Sequence, residues 1–294
     1  IKGRTNATSN YLTDSVRGIA GSGLLSDSTA ASDGEERIAS LDSDGFTTAD
    51  TLYSYVNTGS ANYVAWNWKA GGAPTADNSA GAGATPTAGS VKIDGSNLGS
   101  ALAGTIAATR LSANTTSGFS IVTYEGTEAV ATVAHGLSQA PELILFKNTD
   151  SALFWPVYNK TIDATDYLIL DTTVARADSD GYFNDTEPTS TVFSLGDKTN
   201  LNRDTCIAYC FHSIEGYSKV GFVMAKSYDY VYDWPIIDNK RGPYNVIEKG
   251  LAANSSDAEL DNVANSVDFV SNGFKLRNSH TMFNGSHNYI YLAF

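Results

Sequence analysis

An all-β chain made of three diverged internal repeats is the architecture this sequence predicts. Two observations lead to it. A set of Lys, Asp, Arg, Gly and aromatic residues recurs at fixed offsets, and the composition favours short strands joined by turns. Tyr (16), Phe (12) and Gly (26) are plentiful while Met (2) is scarce. Aromatic and β-branched residues suit pleated, half-buried surfaces, and Gly, Asn, Asp and Ser supply turns. The expected arrangement is tandem β-sandwich-like units with an extended Ala/Gly/Thr-rich arm.

Repeats come first because missing them misassigns the fold. Lys2, Asp14, Arg17 and Gly18 map onto Lys226, Asp238, Arg241 and Gly242 with one offset of 224. Lys147 and Trp155-Pro156-Val157-Tyr158 map onto Lys226 and Trp234-Pro235-Ile236-Ile237 with an offset of 79. Each copy closes on a second signature, at residues 63–68, 206–211 and 289–294. Side chains alternate between the faces of a strand. One face therefore carries Val64, Trp66 and Trp68, then Ile207, Tyr209 and Phe211, then Ile290, Leu292 and Phe294. Identities drift while the large apolar pattern stays, as a core-facing strand demands. About five strands per unit are expected, among them Tyr167 to Leu170 and Val267 to Val270.

Four segments follow. Residues 1–70 are the first unit, which begins partway through. Residues 71–117 contain no Phe, Tyr or Trp and are a linker or an extended arm packed against something else, since such a stretch buries too little apolar surface to fold alone. Within it, Leu98 to Leu111 reads as a weak helix or an extended piece. Residues 118–215 are the second unit, entered through a hairpin of 119–124 with 129–133. Residues 216–294 are the third, whose entry is cut down to Tyr217 to Gly221. The ends read as cuts through a longer array.

Charge narrows the partners. The formal net charge is −13 with no basic stripe, which argues against nucleic acid and anionic membranes. No apolar run approaches the roughly 20 residues of a membrane-spanning helix. Cys206 and Cys210, four apart on one strand, would sit about 13 Å from each other, too far for a mutual disulfide. They read as free, packed thiols compatible with a reducing cytoplasm.

Catalytic motifs are missing from the sequence: there is no nucleophile elbow, P-loop, dinucleotide fingerprint or HExxH. No enzyme activity and no cofactor are expected, although two of the many carboxylates could still pair for glycan cleavage. His135 reads as a turn residue, and His280 and His287 as flanking a hairpin. Asp42-Ser43-Asp44-Gly45 and Asp178-Ser179-Asp180-Gly181 resemble the opening of a calcium loop but lack its closing Glu, so turns are the competing reading. The pairs Asp14/Arg17 and Asp238/Arg241 read as structural ion pairs, and Trp155 and Trp234 as core. The alternating run Tyr228-Asp229-Tyr230-Val231-Tyr232 would place all its tyrosines on one face. Tyr228, Tyr230 and Tyr232 are thus the candidate contact surface.

The strings Gly118-Phe119-Ser120-Ile121-Val122-Thr123-Tyr124, Ala134-His135-Gly136-Leu137, Asp14-Ser15-Val16-Arg17-Gly18, Gly181-Tyr182-Phe183-Asn184-Asp185 and Ser271-Asn272-Gly273-Phe274-Lys275-Leu276 resemble repeat modules in virion proteins of marine bacteriophages. That resemblance implies an external structural protein, in a tail fibre or associated with the tail, that scaffolds attachment to a host surface. It further implies assembly in the host cytoplasm, residence in the virion, other virion proteins as partners, and a homo-oligomer with a trimer favoured. A host-surface glycan is the implied ligand. A capsid decoration or head-fibre protein and a polysaccharide-degrading tailspike are the alternatives.

Overall fold

The computed structural model describes residues 1–294 apart from 21, 50–54, 216–219, 243 and 262–265. Tyr217 of the expected short entry lies outside the described residues. The chain is nearly all β, with two four-residue α-helices at Asp180–Phe183 and Thr281–Asn284 among the described residues.

Every repeat is built on the same four strands in the same order. A lysine-bearing strand (Lys2–Gly3, Leu143–Asn148, Phe222–Ser227) is flanked on one side by the closing strand (Tyr63–Val64, Thr205–Phe211, Tyr289–Ala293). On its other side lies a second strand (Tyr11–Leu12, Pro156–Asn159, Pro235–Asp238), followed by a third (Leu24–Leu25, Asp166–Ile169, Lys249–Ala252). In the first repeat the lysine strand meets the second through the Tyr11 N–H to Ile1 carbonyl bond, 2.9 Å. The second repeat's third strand therefore corresponds to Lys249–Ala252, not to Val267–Val270. The latter pairs instead with Gly273–Leu276 in a hairpin that covers the outside of the third repeat.

The three repeats share one core. Val16 and Leu24 of the first, Trp155, Val157, Tyr209 and Phe211 of the second, and Met224, Trp234, Ile236 and Ile290 of the third pack in a single cluster. Val64, Trp66, Leu292 and Phe294 pack against it, so the closing strands face inward as their alternation requires. Regular pairing in the first closing strand stops after Tyr63–Val64, two residues into the expected six. Trp68 still meets Phe119, Phe211, Phe222 and Phe294, with ring centroids 5.7–6.5 Å apart.

Polar side chains join these units into a closed ring. Trp155 Nε1 donates to the Leu25 carbonyl of the first repeat, 3.0 Å, and Trp234 Nε1 to the Ile169 carbonyl of the second, 3.0 Å. Where those repeats have Trp, the first has Asn10. Its Nδ2 reaches the Ala252 and Ala253 carbonyls of the third repeat, at 3.1 and 2.9 Å. The lysines follow the same rotation. Lys147 donates to Thr29 (2.7 Å), Lys226 to Thr173 (2.9 Å) and Lys2 to Ser255 (3.0 Å). Each ammonium also holds the carbonyl six residues on in its own repeat: Thr8 (2.5 Å), Leu153 (2.5 Å) and Tyr232 (2.6 Å). All three lysines are essentially sealed from solvent. Burial pulls each pKa down to about 8, which leaves the charged donor dominant at neutral pH.

The segment 71–117 takes the second of its two expected forms: it is extended and packed, woven into the second repeat. Val91–Ile93, Ser96–Asn97 and Ala108–Asn114 extend that repeat's sheet to nine strands. Val91, Leu102 and Leu111 are buried in its second core, with Val122, Phe146 and Phe193. At about 1.5–3 kcal/mol for each buried aliphatic side chain, a segment without aromatics gains enough once a sheet exists to receive it. Gly71 is required there, because a Cβ would lie 2.0 Å from the Ala113 carbonyl oxygen. This arm also corrects the expected entry hairpin. Phe119–Glu125 pairs with Ala108–Asn114, and Ala131–Ala134 pairs with Val192–Leu195 in a separate layer. Leu98 to Leu111 is accordingly strand and loop, not helix.

Replacing Lys226 by Met leaves the carbonyls of Thr173, Tyr230 and Tyr232 without the buried ammonium that gathers them. Loss of three charge-assisted bonds is costly, and the variant is expected to lose about 2 kcal/mol. Urea denaturation of both proteins measures it, and a loss under about 0.5 kcal/mol would contradict this role for the ammonium. Because the core is shared, the transition should remain single and coincide by fluorescence and far-UV circular dichroism.

Candidate functional site

Most residues that recur between repeats are used up in holding the ring together. Asp14 takes the Arg17 guanidinium at 2.7 Å and the Tyr209 hydroxyl of the second repeat at 2.9 Å. Asp238 takes Arg241 at 2.6 Å and the Trp66 indole N–H of the first repeat at 3.1 Å. The remaining position has Asn159 for Asp, Ile162 for Arg and Leu292 for the aromatic donor. Ile162 and Leu292 belong to the shared core. Two of the three contacts are thus polar triads, and in the third an uncharged Asn stands with two apolar residues, so the acidic, basic and aromatic members are kept or lost together. Trp155 and Trp234 are fully buried, and both cysteines are free and buried within the second closing strand.

The calcium candidates do not converge. Asp42 closes the hairpin of Ile38–Leu41 with Phe46–Thr48 and accepts from the Thr47 hydroxyl at 3.0 Å. Asp178 ends a short strand, while Asp180 opens the helix capped by Ser179. Among the described residues no three His, Cys, Asp or Glu side chains gather as a metal site. His280 and His287 do not flank a hairpin. His280 caps the helix Thr281–Asn284, its Nδ1 accepting from the Met282 N–H of the first turn.

A site emerges where the repeats differ on one backbone. The loop after each lysine strand is tied to the start of its closing strand by an equivalent side chain. Thr5 Oγ1 accepts the Asn62 N–H (3.0 Å), Asp150 the Thr205 N–H (2.6 Å) and Asp229 the Asn288 N–H (3.1 Å). On this common frame the first repeat carries Asn6-Ala7-Thr8, the second Ser151-Ala152-Leu153 and the third Tyr230-Val231-Tyr232. His287 stands where the others have Asp204 and Ala61.

In the third repeat these residues form a surface stack. The Tyr230 and His287 ring centroids lie 3.9 Å apart, and Tyr230 and Tyr232 lie 6.3 Å apart at 20° between planes. Tyr230 is 52% exposed and Val231 64%. The expected strand is a loop, because the lysine strand ends at Ser227 and Lys226 draws the Tyr230 and Tyr232 carbonyls inward. Tyr228 leaves the group: it packs against the core beneath the Arg176 guanidinium, 5.1 Å from its ring centre. Arg176 in turn meets Asp166 at 2.8 Å and Asp229 at 3.9 Å, placing charge beside the stack. An exposed ring at a stack of this kind, with the Asp229 carboxylate next to it in sequence, can hold a ligand by stacking and directed hydrogen bonds. His287 was missed by sequence reasoning, and only its contrast with Asp204 and Ala61 would have marked it.

Compared with known proteins, three stretches of the chain match one family model, a domain of unknown function (DUF7483), over residues 1–93, 90–222 and 221–294. The middle match begins at 90 and so includes the strands of the arm. No curated protein matches the chain. No solved structure matches it either.

Two measurements separate surface from scaffold. Tyr230→Ala should change stability by less than about 0.5 kcal/mol, as for other exposed positions, and a larger loss would make the stack structural. His135, by contrast, is fully buried, with Nδ1 accepting from the Leu137 N–H at 3.2 Å and Nε2 3.1 Å from the Thr189 carbonyl. Burial pulls its pKa down to about 4. The unfolded chain therefore binds this proton first as pH falls below about 6.5, and the stabilisation present at neutral pH is lost on the way to pH 4. Between pH 7 and 4.5 that loss is about 2–3 kcal/mol. It should be absent in His135→Asn when unfolding is followed at both pH values, and equal acid sensitivity of the two proteins would refute it.

Proposed function

The chain belongs to the DUF7483 family, and on that footing we propose that it is a structural recognition module of a bacteriophage virion, in a tail fibre or tail-associated protein. The ring is the scaffold, and the loop bearing Tyr230, Tyr232 and His287 meets a glycan of the host surface. The observation that carries this reading is the divergence at that loop. Three repeats share its backbone ties, and one of them replaces non-aromatic residues with stacked rings, of which Tyr230 is exposed. Folding gives no return for Tyr230 at half exposure, whereas a sugar face laid on the stack does.

The resemblance to marine phage virion modules supports the setting. So does the spending of the recurrent Asp, Arg, Trp and Lys residues on contacts between repeats, which leaves the common frame a structural job. Contact with an acidic envelope then rests on stacking and hydrogen bonds, because a chain of net charge −13 gains nothing from long-range attraction to it.

Binding of the isolated chain to host cells and to envelope glycan arrays tests the reading. The wild type should bind, and Tyr230→Ala combined with His287→Ala should weaken binding at least about tenfold, or 1.4 kcal/mol. Absence of binding by the wild type to cells and glycans alike would remove the attachment role. Labelling of the chain on the capsid head in intact virions would remove the tail assignment.

A further inference from the structure

The second and third repeats treat their closing strands differently. In the second, Thr205–Phe211 is flanked on both edges: Leu143–Asn148 lies on one side and Phe119–Glu125 on the other. In the third, Tyr289–Ala293 pairs with Phe222–Ser227 and ends the sheet, and among the described residues no strand lies on its other edge. Mutual bonds between Phe222 and Phe294, at 3.0 and 3.1 Å, set the alternation. They direct the backbone groups of Ile290 and Leu292 toward the lysine strand and those of Tyr289, Tyr291 and Ala293 outward. The equivalent residues of the second repeat, Cys206, Ala208 and Cys210, stand opposite Tyr124, Val122 and Ser120.

This edge has none of the usual guards. The strand Tyr-Ile-Tyr-Leu-Ala carries no charge and no proline, and its pairing with the lysine strand runs without a bulge. Tyr291 is 63% exposed and meets Phe274 edge-on, with centroids 5.3 Å apart. The second repeat shows what such an edge accepts. Its added strand puts Phe119 and Ile121 into the shared core and Val122 and Tyr124 into the outer one. Tyr289–Ala293 has that same character, with Ile290 and Leu292 inward and Tyr289 and Tyr291 outward.

We propose that this edge pairs with the same edge of a second copy of the chain, antiparallel, with Tyr291 on the twofold axis. An antiparallel edge centred on an outward-directed residue is self-complementary. Tyr291 exchanges both backbone bonds with its symmetry mate, Tyr289 exchanges them with Ala293, and Ile290 stands opposite Leu292 on the inner face. The contact is isologous, so it closes at two copies. It does not rest on the attachment role, and it uses none of Tyr230, Tyr232 or His287.

Light scattering after size exclusion should give twice the chain mass for the wild type. Tyr291→Pro removes an outward N–H that makes no backbone bond among the described residues, and proline is tolerated on edge strands. That variant should run as a monomer with an unchanged far-UV spectrum. Tyr291→Lys, which adds a guarding charge to the edge, should be monomeric as well. Facing residues in a hydrogen-bonded antiparallel pair lie about 5.5 Å apart between Cα atoms, within disulfide range. Tyr291→Cys should therefore cross-link covalently into dimers on mild oxidation, as Cys206 and Cys210 are buried. A monomeric wild type, a trimer, or a dimer that survives both Tyr291→Pro and Tyr291→Lys would overturn the proposal. Failure of the tyrosine 291 variants to cross-link or dissociate says nothing about glycan binding, and loss of glycan binding says nothing about this edge.

Discussion

Everything in this fold depends on three ammonium groups that have no water to turn to. A lysine placed inside a β core has to find carbonyl oxygens, and here each finds them in two places: the loop of its own repeat and the third-strand end of the preceding one. Charge-assisted bonds to carbonyls are stronger than neutral ones, and a charge left unpaired in a core is prohibitive. Each lysine therefore forces two segments, far apart in sequence, to approach the same point. The tryptophans and Asn10 repeat the same rotation a few ångströms away with a neutral donor. Hydrophobic burial supplies the bulk of the driving force, but it is non-directional. The lysines and indoles give it direction.

Much of this was legible in the sequence, and its limits are physical. Fixed offsets revealed the repeats because the donors sit at identical positions on the lysine and second strands. The alternation Ile207-Tyr209-Phe211 revealed a core face because a strand has only two faces. Nothing in the sequence showed that the lysines point into the neighbouring repeat, because spacing along a chain is silent about which carbonyls it will meet. The arm was legible only as an alternative. Without aromatics it has no claim to fold alone, which left a free linker and an arm packed on another unit both open, and Leu111 and Val91 bury completely on a sheet already built by others. The tyrosine run was half legible. Alternation brought Tyr230 and Tyr232 together for the wrong reason, as a strand, while the inward pull of Lys226 made the loop and left Tyr228 behind.

The repeats also serve as each other's controls. Asp14 and Asp238 keep their arginines where an aromatic donor from the next repeat faces them, and Asn159 appears where that donor is Leu292. Such substitutions keep a buried polar network either complete or absent, the two states that are stable. Positions that diverge without a matching change across an interface stand outside this logic. Tyr230 and His287 are of that kind.

One property of the ring concerns how such a protein can change over time. An open solenoid leaves its terminal units unpaired and can lengthen or shorten by whole repeats. Here the acceptor for the first lysine, the Ser255 carbonyl, belongs to the last repeat. Deleting one of these three units would leave a donor and a row of carbonyls without their partners at that seam. The seam is held by the reach of a lysine side chain, so these units can gain or lose a neighbour only if the ring closes again around the new number. Novelty enters more simply by altering loops on the existing frame or by grafting strands onto a sheet edge, as the arm has been grafted onto the second repeat.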